Sequence, residues 1–238
     1  MSTISAKDVK ALRDQTGAGM MDCKKALSEA NGDLEKAIEY LRKQGQKLSD
    51  KRADREAKEG VVLAIISDDK TKGVVVRLSC ETDFVSKNES FVALTQSIAD
   101  LALAAFPKDK EALLAVKMGD ITIAEKAIEQ TGVIGEKIEV ASYERLEAPM
   151  VAPYIHMGNK AGVLVALNIA SDDVFEAGRE VAMQVAAMKP VAVDEHGVDA
   201  SIVQKEIEIG KEIARQEGKP EAMLEKIAMG KLNRFYKD

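Results

Sequence analysis

Three features of the chain predict an α+β fold. Apolar residues recur at helical spacing through the first 45 residues, two later stretches switch to short β-rich runs bounded by turn residues, and each of those runs leads into a long amphipathic helix. The recurrence of hairpin plus helix implies two related subdomains, each laying a helix on an antiparallel sheet. With 238 residues, 46% of them hydrophobic, the chain can bury a sizeable core. The predicted organisation is a three-helix head over residues 1–45, a charged helical linker over 46–59, a first α+β core subdomain over 60–135, a second over 136–197, and an antiparallel helical hairpin (a coiled coil) over 198–238.

In the head, Ser5 and Asp8 form a capping-box pattern ahead of Val9 and Leu12. Met20, Cys23, Leu27 and Ala30 keep helical spacing, Asn31-Gly32 turns the chain, and Asp33 caps a third helix carrying Leu34, Ala37, Ile38 and Leu41. Gly45 is expected to end that helix. A bundle this small suits recognition better than catalysis. The connector Thr16-Gly17-Ala18-Gly19-Met20-Met21 contains a Gly-x-Gly, but no strand precedes it, Asp22 stands at the third glycine position, and no Gly-x-x-x-x-Gly-Lys occurs. It reads as a turn between helices. Successive helical positions diverge by about 100°, so one of Met20 and Met21 is expected to face outward as an adaptable contact. In residues 46–59, Lys47, Lys51, Arg52, Arg55 and Lys58 interleave with Asp50, Asp54, Glu56 and Glu59, which favours a solvated helix over an RNA-binding face.

After Gly60, residues 61–66 and 74–78 read as a hairpin about Asp68-Asp69-Lys70-Thr71-Lys72-Gly73. Thr82-Asp83-Phe84-Val85 follows. Asn88 then caps a helix with Phe91, Leu94, Ile98, Leu101 and Ala105 on one side, ending before Pro107. Shorter helices are predicted over 109–117 and 121–131, the second stopped by Gly132. A strand over 137–146 opens the second subdomain, and 150–157 with 161–170 form its hairpin about Gly158-Asn159-Lys160. Asp172 or Asp173 caps a helix with Val174, Ala177, Val181, Val185 and Met188 that stops before Pro190. Last come a helix over 201–216 with Val203, Ile207, Gly210 and Ala214, a turn at Gly218-Lys219-Pro220, and a helix with Met223, Leu224, Ile227 and Ala228. Charged outer faces suggest that this pair projects from the body.

Phe84 is the residue that asks for a function. A large apolar ring beside a carboxylate, on a connection between regular elements, is either a plug folded under its own helix or a probe for another protein. The net charge of -6 argues against general affinity for nucleic acid or anionic lipid, and no Trp with 4% aromatics leaves little base-stacking surface. Two His in all, and Cys23 and Cys80 without a Cys-x-x-Cys, lead to the expectation of no metal site and of reduced, apolar cysteines. No apolar run approaches the roughly 18 residues of a membrane span. Met1-Ser2-Thr3-Ile4 lacks the architecture of a signal peptide, so the cytoplasm is the expected compartment. No nucleophile with a base, no paired acids in a pocket and no phosphate loop are visible, so no enzyme and no cofactor are expected.

Leu12-Arg13 followed by Thr16-Gly17-Ala18-Gly19-Met20-Met21-Asp22-Cys23-Lys24-Lys25-Ala26-Leu27, then Glu29-Ala30-Asn31-Gly32-Asp33, then Thr82-Asp83-Phe84-Val85, within this order of elements, resemble bacterial elongation factor Ts over nearly the whole chain. The resemblance implies a head like a ubiquitin-associated (UBA) fold and a guanine-nucleotide exchange factor for elongation factor Tu, the GTPase that delivers aminoacyl-tRNA to the ribosome. Carried onto this sequence, Asp83 and Phe84, flanked by Thr82 and Val85, enter the GTPase domain and disturb its magnesium and phosphate site. Arg13, Met20 and Met21 grip the same domain. His156, within Tyr154-Ile155-His156-Met157-Gly158, stands where the family has an interface histidine, with a structural histidine as the alternative. The implied partner is the GTPase alone: no direct nucleotide, DNA or membrane binding. Because family members continue with a further strand and a short helical module, the chain is expected to be truncated after Asp238, with an exposed sheet edge. Two other readings start from the same residues: an adaptor built on the UBA-like head, and an RNA-binding chaperone acting through residues 42–58.

Overall fold

The computed structural model describes residues 4–237; what the sequence predicts for Met1 to Thr3 and for Asp238 lies outside the described residues. Helices and small antiparallel sheets mix along the chain, the α+β class that the sequence predicts. Two compact units divide it, Met1–Ala187 and Met188–Asp238.

In the first unit, α1 (Ala6–Thr16) opens on its capping box: Ser5 Oγ accepts the Asp8 amide at 3.2 Å and the Asp8 carboxylate accepts the Ser5 amide at 3.0 Å. Leu12 meets Cys23, Ala26 and Leu27 of α2 (Met20–Glu29) and Ala37 of α3 (Leu34–Lys51) in a small core. Asp33 caps α3, but Gly45 does not end it. Nor does Gly132 end α7 (Ile123–Ile134), which stops at Gly135 with φ 83°. Both glycines are where these helices cross. A Cβ on Gly132 would stand 2.8 Å from the Gly45 Cα, and one on Gly45 3.2 Å from the Ile128 carbonyl oxygen. Only a pair of residues without side chains allows backbones this close, so the glycines join the head to the body instead of stopping helices. The predicted linker is corrected accordingly: its first half extends α3 to Lys51, and residues 52–58 are turns and irregular backbone.

β1 (Glu59–Ile66) and β2 (Lys72–Cys80) form the first hairpin, and β5 (Glu139–Glu147) adds to β2, giving the antiparallel order β1-β2-β5. The strand predicted to open a second subdomain therefore completes the first sheet, because Val140 and Tyr143 bury into the same core as Val74, Val76 and Leu78. α5 (Glu89–Ala105), capped by Asn88, covers this face with Phe91, Thr95, Ile98, Ala99 and Ala102. Leu94 and Leu101 only flank the core and Ala105 is exposed, so the buried stripe is rotated from the predicted one. Thr95 is admitted because its hydroxyl donates to the Phe91 carbonyl at 2.9 Å. Between α5 and α7 lie α6 (Lys110–Leu114) and a short ladder of β3 (Lys117–Met118) with β4 (Ile121–Thr122), which takes the end of the helix predicted over 109–117 and the start of that predicted over 121–131. Thr122 and Glu125 make the capping box that starts α7.

The second hairpin, β6 (Met150–Ile155) with β7 (Gly162–Leu167), lies on the opposite face of the sheet, since Val62 and Ala64 alternate with the inward Val61 and Leu63. Gly162 sits against Val62, and Gly73 against Val151 and Leu164. α8 (Asp172–Met188) closes the stack, with Gly178 against Leu167 and Ala152. Its first-turn amide, Val174 N, donates to Ser171 Oγ at 3.3 Å, a cap expected instead from Asp172 or Asp173. Gly178 and Ala182 are its buried residues while Val181 and Met188 stay exposed; Phe175, beneath the Lys70 ammonium at 4.1 Å, belongs to the inward stripe and turns the helix from its predicted face.

In the second unit, α9 (Ala200–Gln216) and α10 (Glu221–Phe235) form the antiparallel hairpin, turning at Gly218 with φ 72°. Gly210 lies against Ala228, and Ala214, Leu224 and Leu232 fill the seam, while Met223 is exposed.

Gly132→Ala is expected to destabilise the first unit by about 1–3 kcal/mol in urea unfolding, overpacking outweighing the helix propensity gained. Gly230→Ala in α10, where nothing lies within 4 Å, is expected to stabilise its own unit by about 0.5–1 kcal/mol. Equal effects of the two substitutions would contradict the crossing.

Candidate partner-docking site

Between Cys80, which ends β2, and Asn88, which caps α5, the chain makes one turn of helix, α4 (Asp83–Ser86), from an extended Thr82 with φ -123° and ψ 155°. Successive side chains on such a turn diverge widely. Ser86 is buried with its hydroxyl donating to the Asp83 carbonyl at 3.1 Å, and Val85 packs on the main core. Phe84 faces water, 84% exposed, so it is no plug under its own helix. Asp83 accepts the Lys87 ammonium at 2.6 Å; that bond, the Lys87 charge and the nearby Lys160 charge hold its carboxyl below the usual range.

Two crossed carboxylates hold the turn. Glu136, just past the end of α7, accepts the Glu81 and Thr82 amides on Oε2 at 3.0 Å each and the Thr82 hydroxyl on Oε1 at 2.6 Å. Glu81, its side chain 13% exposed, accepts the Lys137 amide at 2.7 Å and Arg52 Nη1 at 2.6 Å, with Arg55 Nη1 at 3.6 Å. Burial pushes the Glu81 carboxyl upward, but the Lys137 amide, Arg52 and Arg55 outweigh it and leave the group below its ordinary value. Cys80 lies beneath, its thiol donating to the Thr82 carbonyl at 3.2 Å. Burial first, then the Glu136 and Glu59 charges, push this thiol up to about 11.

The connection between β6 and β7 stands at the same end of the sheet. Its Lys160 pairs with Glu59 at the start of β1 and is close enough to act on Asp83. His156 is exposed on this connection, its Nδ1 3.1 Å from the Tyr154 hydroxyl, and its neighbour Met157 is 85% exposed. An exposed ring whose one hydrogen-bond partner is the half-buried Tyr154 is not a buried structural histidine. Asp83, Phe84 and His156 are thus brought to one end of the first sheet. Arg13, Met20 and Met21 are exposed on the head, and among the described residues no hydrogen bond or ion pair ties them to the turn. Both methionines face outward, 60% and 74% exposed, where one was expected. They open α2 beyond the end of the head core, which Ala18 and Cys23 close beneath them.

Sequence reasoning missed Met157, Lys87, Lys160 and both clamp carboxylates. Lys87 had a signal, its spacing of four from Asp83 on a helical turn. Glu136 had none, standing 54 residues from Thr82.

Comparison with known sequences decides the family. The profile of the family described as "Elongation factor TS" matches residues 81–238. Elongation factor Ts of Flavobacterium psychrophilum is 56% identical over 100% of this chain and 86% of its own length. The chain belongs to the elongation factor Ts family. Elongation factor Ts of Christiangramia forsetii is 53% identical and that of Cytophaga hutchinsonii 55% identical, each matched over 100% of this chain and 86% of the relative. Family membership assigns the chain to translation elongation. Among the described residues of this elongation factor Ts, no helix is long and apolar enough to cross a membrane, and no group of three or more His, Cys, Asp and Glu is placed to hold a metal ion.

At pH 8 a thiol titrating at about 11 is ionised only to about one part in a thousand. Cys80 is therefore expected to resist iodoacetamide in the native protein and to label readily in urea, as read by mass spectrometry. Fast native labelling would contradict the packing beneath the turn.

Proposed function

We propose that this member of the family is the guanine-nucleotide exchange factor of elongation factor Tu: it binds the GDP-bound GTPase and speeds GDP release by inserting Asp83 and Phe84 near the magnesium and phosphate site. The observation that carries this reading is the solvent-facing Phe84 ring on a turn fixed by part-buried hydrogen bonds. A factor shifts an equilibrium only by its differential affinity for two states, so it must bind the nucleotide-poor GTPase better than the GDP-filled one. A thousandfold coupling corresponds to about 4 kcal/mol, returned when incoming nucleotide expels the factor. Burying one phenylalanine ring contributes about 1.5–3 kcal/mol, a large share but not all. Asp83 supplies the rest in part, exchanging Lys87 for backbone N–H groups of the partner. Thr82 and Val85 anchor the pair, His156 and Met157 widen the contact at the same end, and Arg13, Met20 and Met21 make a separate grip through the head. None of this calls for covalent chemistry or a bound cofactor, and the cytoplasm is the compartment the role implies. We read the head as UBA-like and the two hairpin-plus-helix units as related.

The RNA-binding reading is weakened by Arg52 and Arg55, two of the seven cations in residues 42–58, which pair with Glu81. An adaptor acting through the head alone would leave the exposure of Phe84 without a use.

The test is release of labelled GDP from elongation factor Tu with and without this protein. Acceleration is expected, with Phe84→Ala losing about ten- to a hundredfold at unchanged helical content. A Phe84→Ala protein as active as the parent would end the insertion mechanism. The acceleration is also expected to shrink when magnesium is chelated beforehand, since the metal would then no longer be there to displace; equal acceleration with chelator would separate exchange from the metal.

A further inference from the structure

We propose that Glu136, together with Glu81, is a positioning residue for exchange: its carboxylate sets the direction in which Phe84 stands out and thereby the maximum rate of nucleotide release. The inference rests on the exchange reading above. It starts from the entry to the turn, since Val85 and Ser86 hold only its exit. α4 has four residues, far below what makes a helix persist by itself. A threonine at a helix N-cap ordinarily accepts a backbone N–H of the first turn, but Thr82 makes no such bond. Its hydroxyl is donated instead to Glu136, 54 residues away, at 2.6 Å. The same carboxylate takes the amides of Glu81 and Thr82, so three donors of the segment leading into Phe84 end on one side chain.

The arrangement is reciprocal. Glu136 accepts the Glu81 amide, while Glu81 accepts the amide of Lys137, the residue after Glu136. Two chain segments joined by such crossed bonds cannot rotate about each other without breaking one of them. Glu81 adds Arg52 and Arg55, which follow α3, so the turn is also referred to the last helix of the head. Three donors converge on Glu136, two of them on one oxygen. A glutamine still accepts both amides on its carbonyl oxygen and donates to the Thr82 hydroxyl, but without the charge that strengthens all three bonds. Charge-assisted bonds of this kind are roughly twice as strong as neutral ones, so the substitution loosens the hold on the turn while keeping its partners.

A residue that merely stabilised the fold would leave the bound turn unchanged once the protein had folded. A positioning residue instead changes the rate at saturation. For Glu136→Gln in the full chain, the maximum rate of GDP release from elongation factor Tu is expected to fall about tenfold. The concentration of factor giving half that rate should change less than about threefold, because the head patch still docks. The chain has no Trp, so Phe84→Trp places a single reporter on the turn. Fluorescence anisotropy of that tryptophan is expected to drop when Glu136→Gln is added, with far-ultraviolet circular dichroism unchanged. Thr82→Val, which removes one of the three bonds, should show the same effects at smaller size, and it carries the test if Glu136→Gln fails to fold. An undiminished maximum rate, or anisotropy equal to the parent's, overturns the proposal. The anisotropy needs no partner. A loosened tryptophan in a chain whose parent fails to release GDP would leave the clamp standing and count against the exchange reading alone.

Discussion

The approach of Gly45 to Gly132 is the constraint on which the first unit depends, because the long-range bonds from Arg52 and Glu136 to the segment entering the Phe84 turn leave the backbone within a few residues of it. Seven residues beyond Gly45, Arg52 reaches Glu81. Four residues beyond Gly132, Glu136 reaches Thr82, and the chain then enters β5. A β-carbon on Gly132 would stand 2.8 Å from the Gly45 Cα, so α3 and α7 would have to shift apart and carry the side chains that follow them. Each glycine inside a helix is unfavourable by about 0.5–1 kcal/mol relative to alanine, a modest penalty against the close backbone packing it allows.

The clamp also shows how charged groups are kept under a surface. Glu81 is nearly covered, and removing a carboxylate from water is strongly unfavourable unless every lone pair finds a donor. Here a backbone amide and two guanidinium groups meet it, enough to leave the group more acidic than usual despite burial. Folding stability from this group is therefore fully present above its unfolded-state pKa and is lost as pH falls through the depressed folded value. The network stays intact at neutral pH and weakens only under acid.

Against that fixed background Phe84 is exposed at a cost. A ring left in water forgoes about 1.5–3 kcal/mol of burial, and a flexible loop would fold it onto the nearest apolar surface. The short turn prevents this by committing the two residues after Phe84, Val85 to the core and Ser86 to the Asp83 carbonyl, while Glu136 holds the chain before it, which leaves the ring outward. The loop with His156 and Met157 is held beside it by the pairing of Lys160 with Glu59, which makes one end of the sheet a composite surface drawn from two hairpins.

Much of this molecule could be read from local chemistry. Caps such as Ser5 with Asp8, Asp33 and Asn88, the turn at Gly218, and the change from helical to alternating period after Gly60 act within about four residues of chain, so the order of elements and the place of Thr82-Asp83-Phe84-Val85 between hairpin and helix follow from the sequence by itself. The family resemblance of the head and of that turn was visible there too. Only the tertiary structure decided what lies opposite each residue. Gly45 and Gly132 have the local signature of helix stops, and nothing but their meeting makes them a crossing. β5 carries the pattern of a strand, but its partner was settled by which core its Val140 and Tyr143 could enter. Glu136 looks like any surface glutamate until 54 residues of intervening chain bring it to Thr82. Propensity and periodicity report a residue's neighbours in the chain, whereas burial, register and long-range hydrogen bonds depend on neighbours in space.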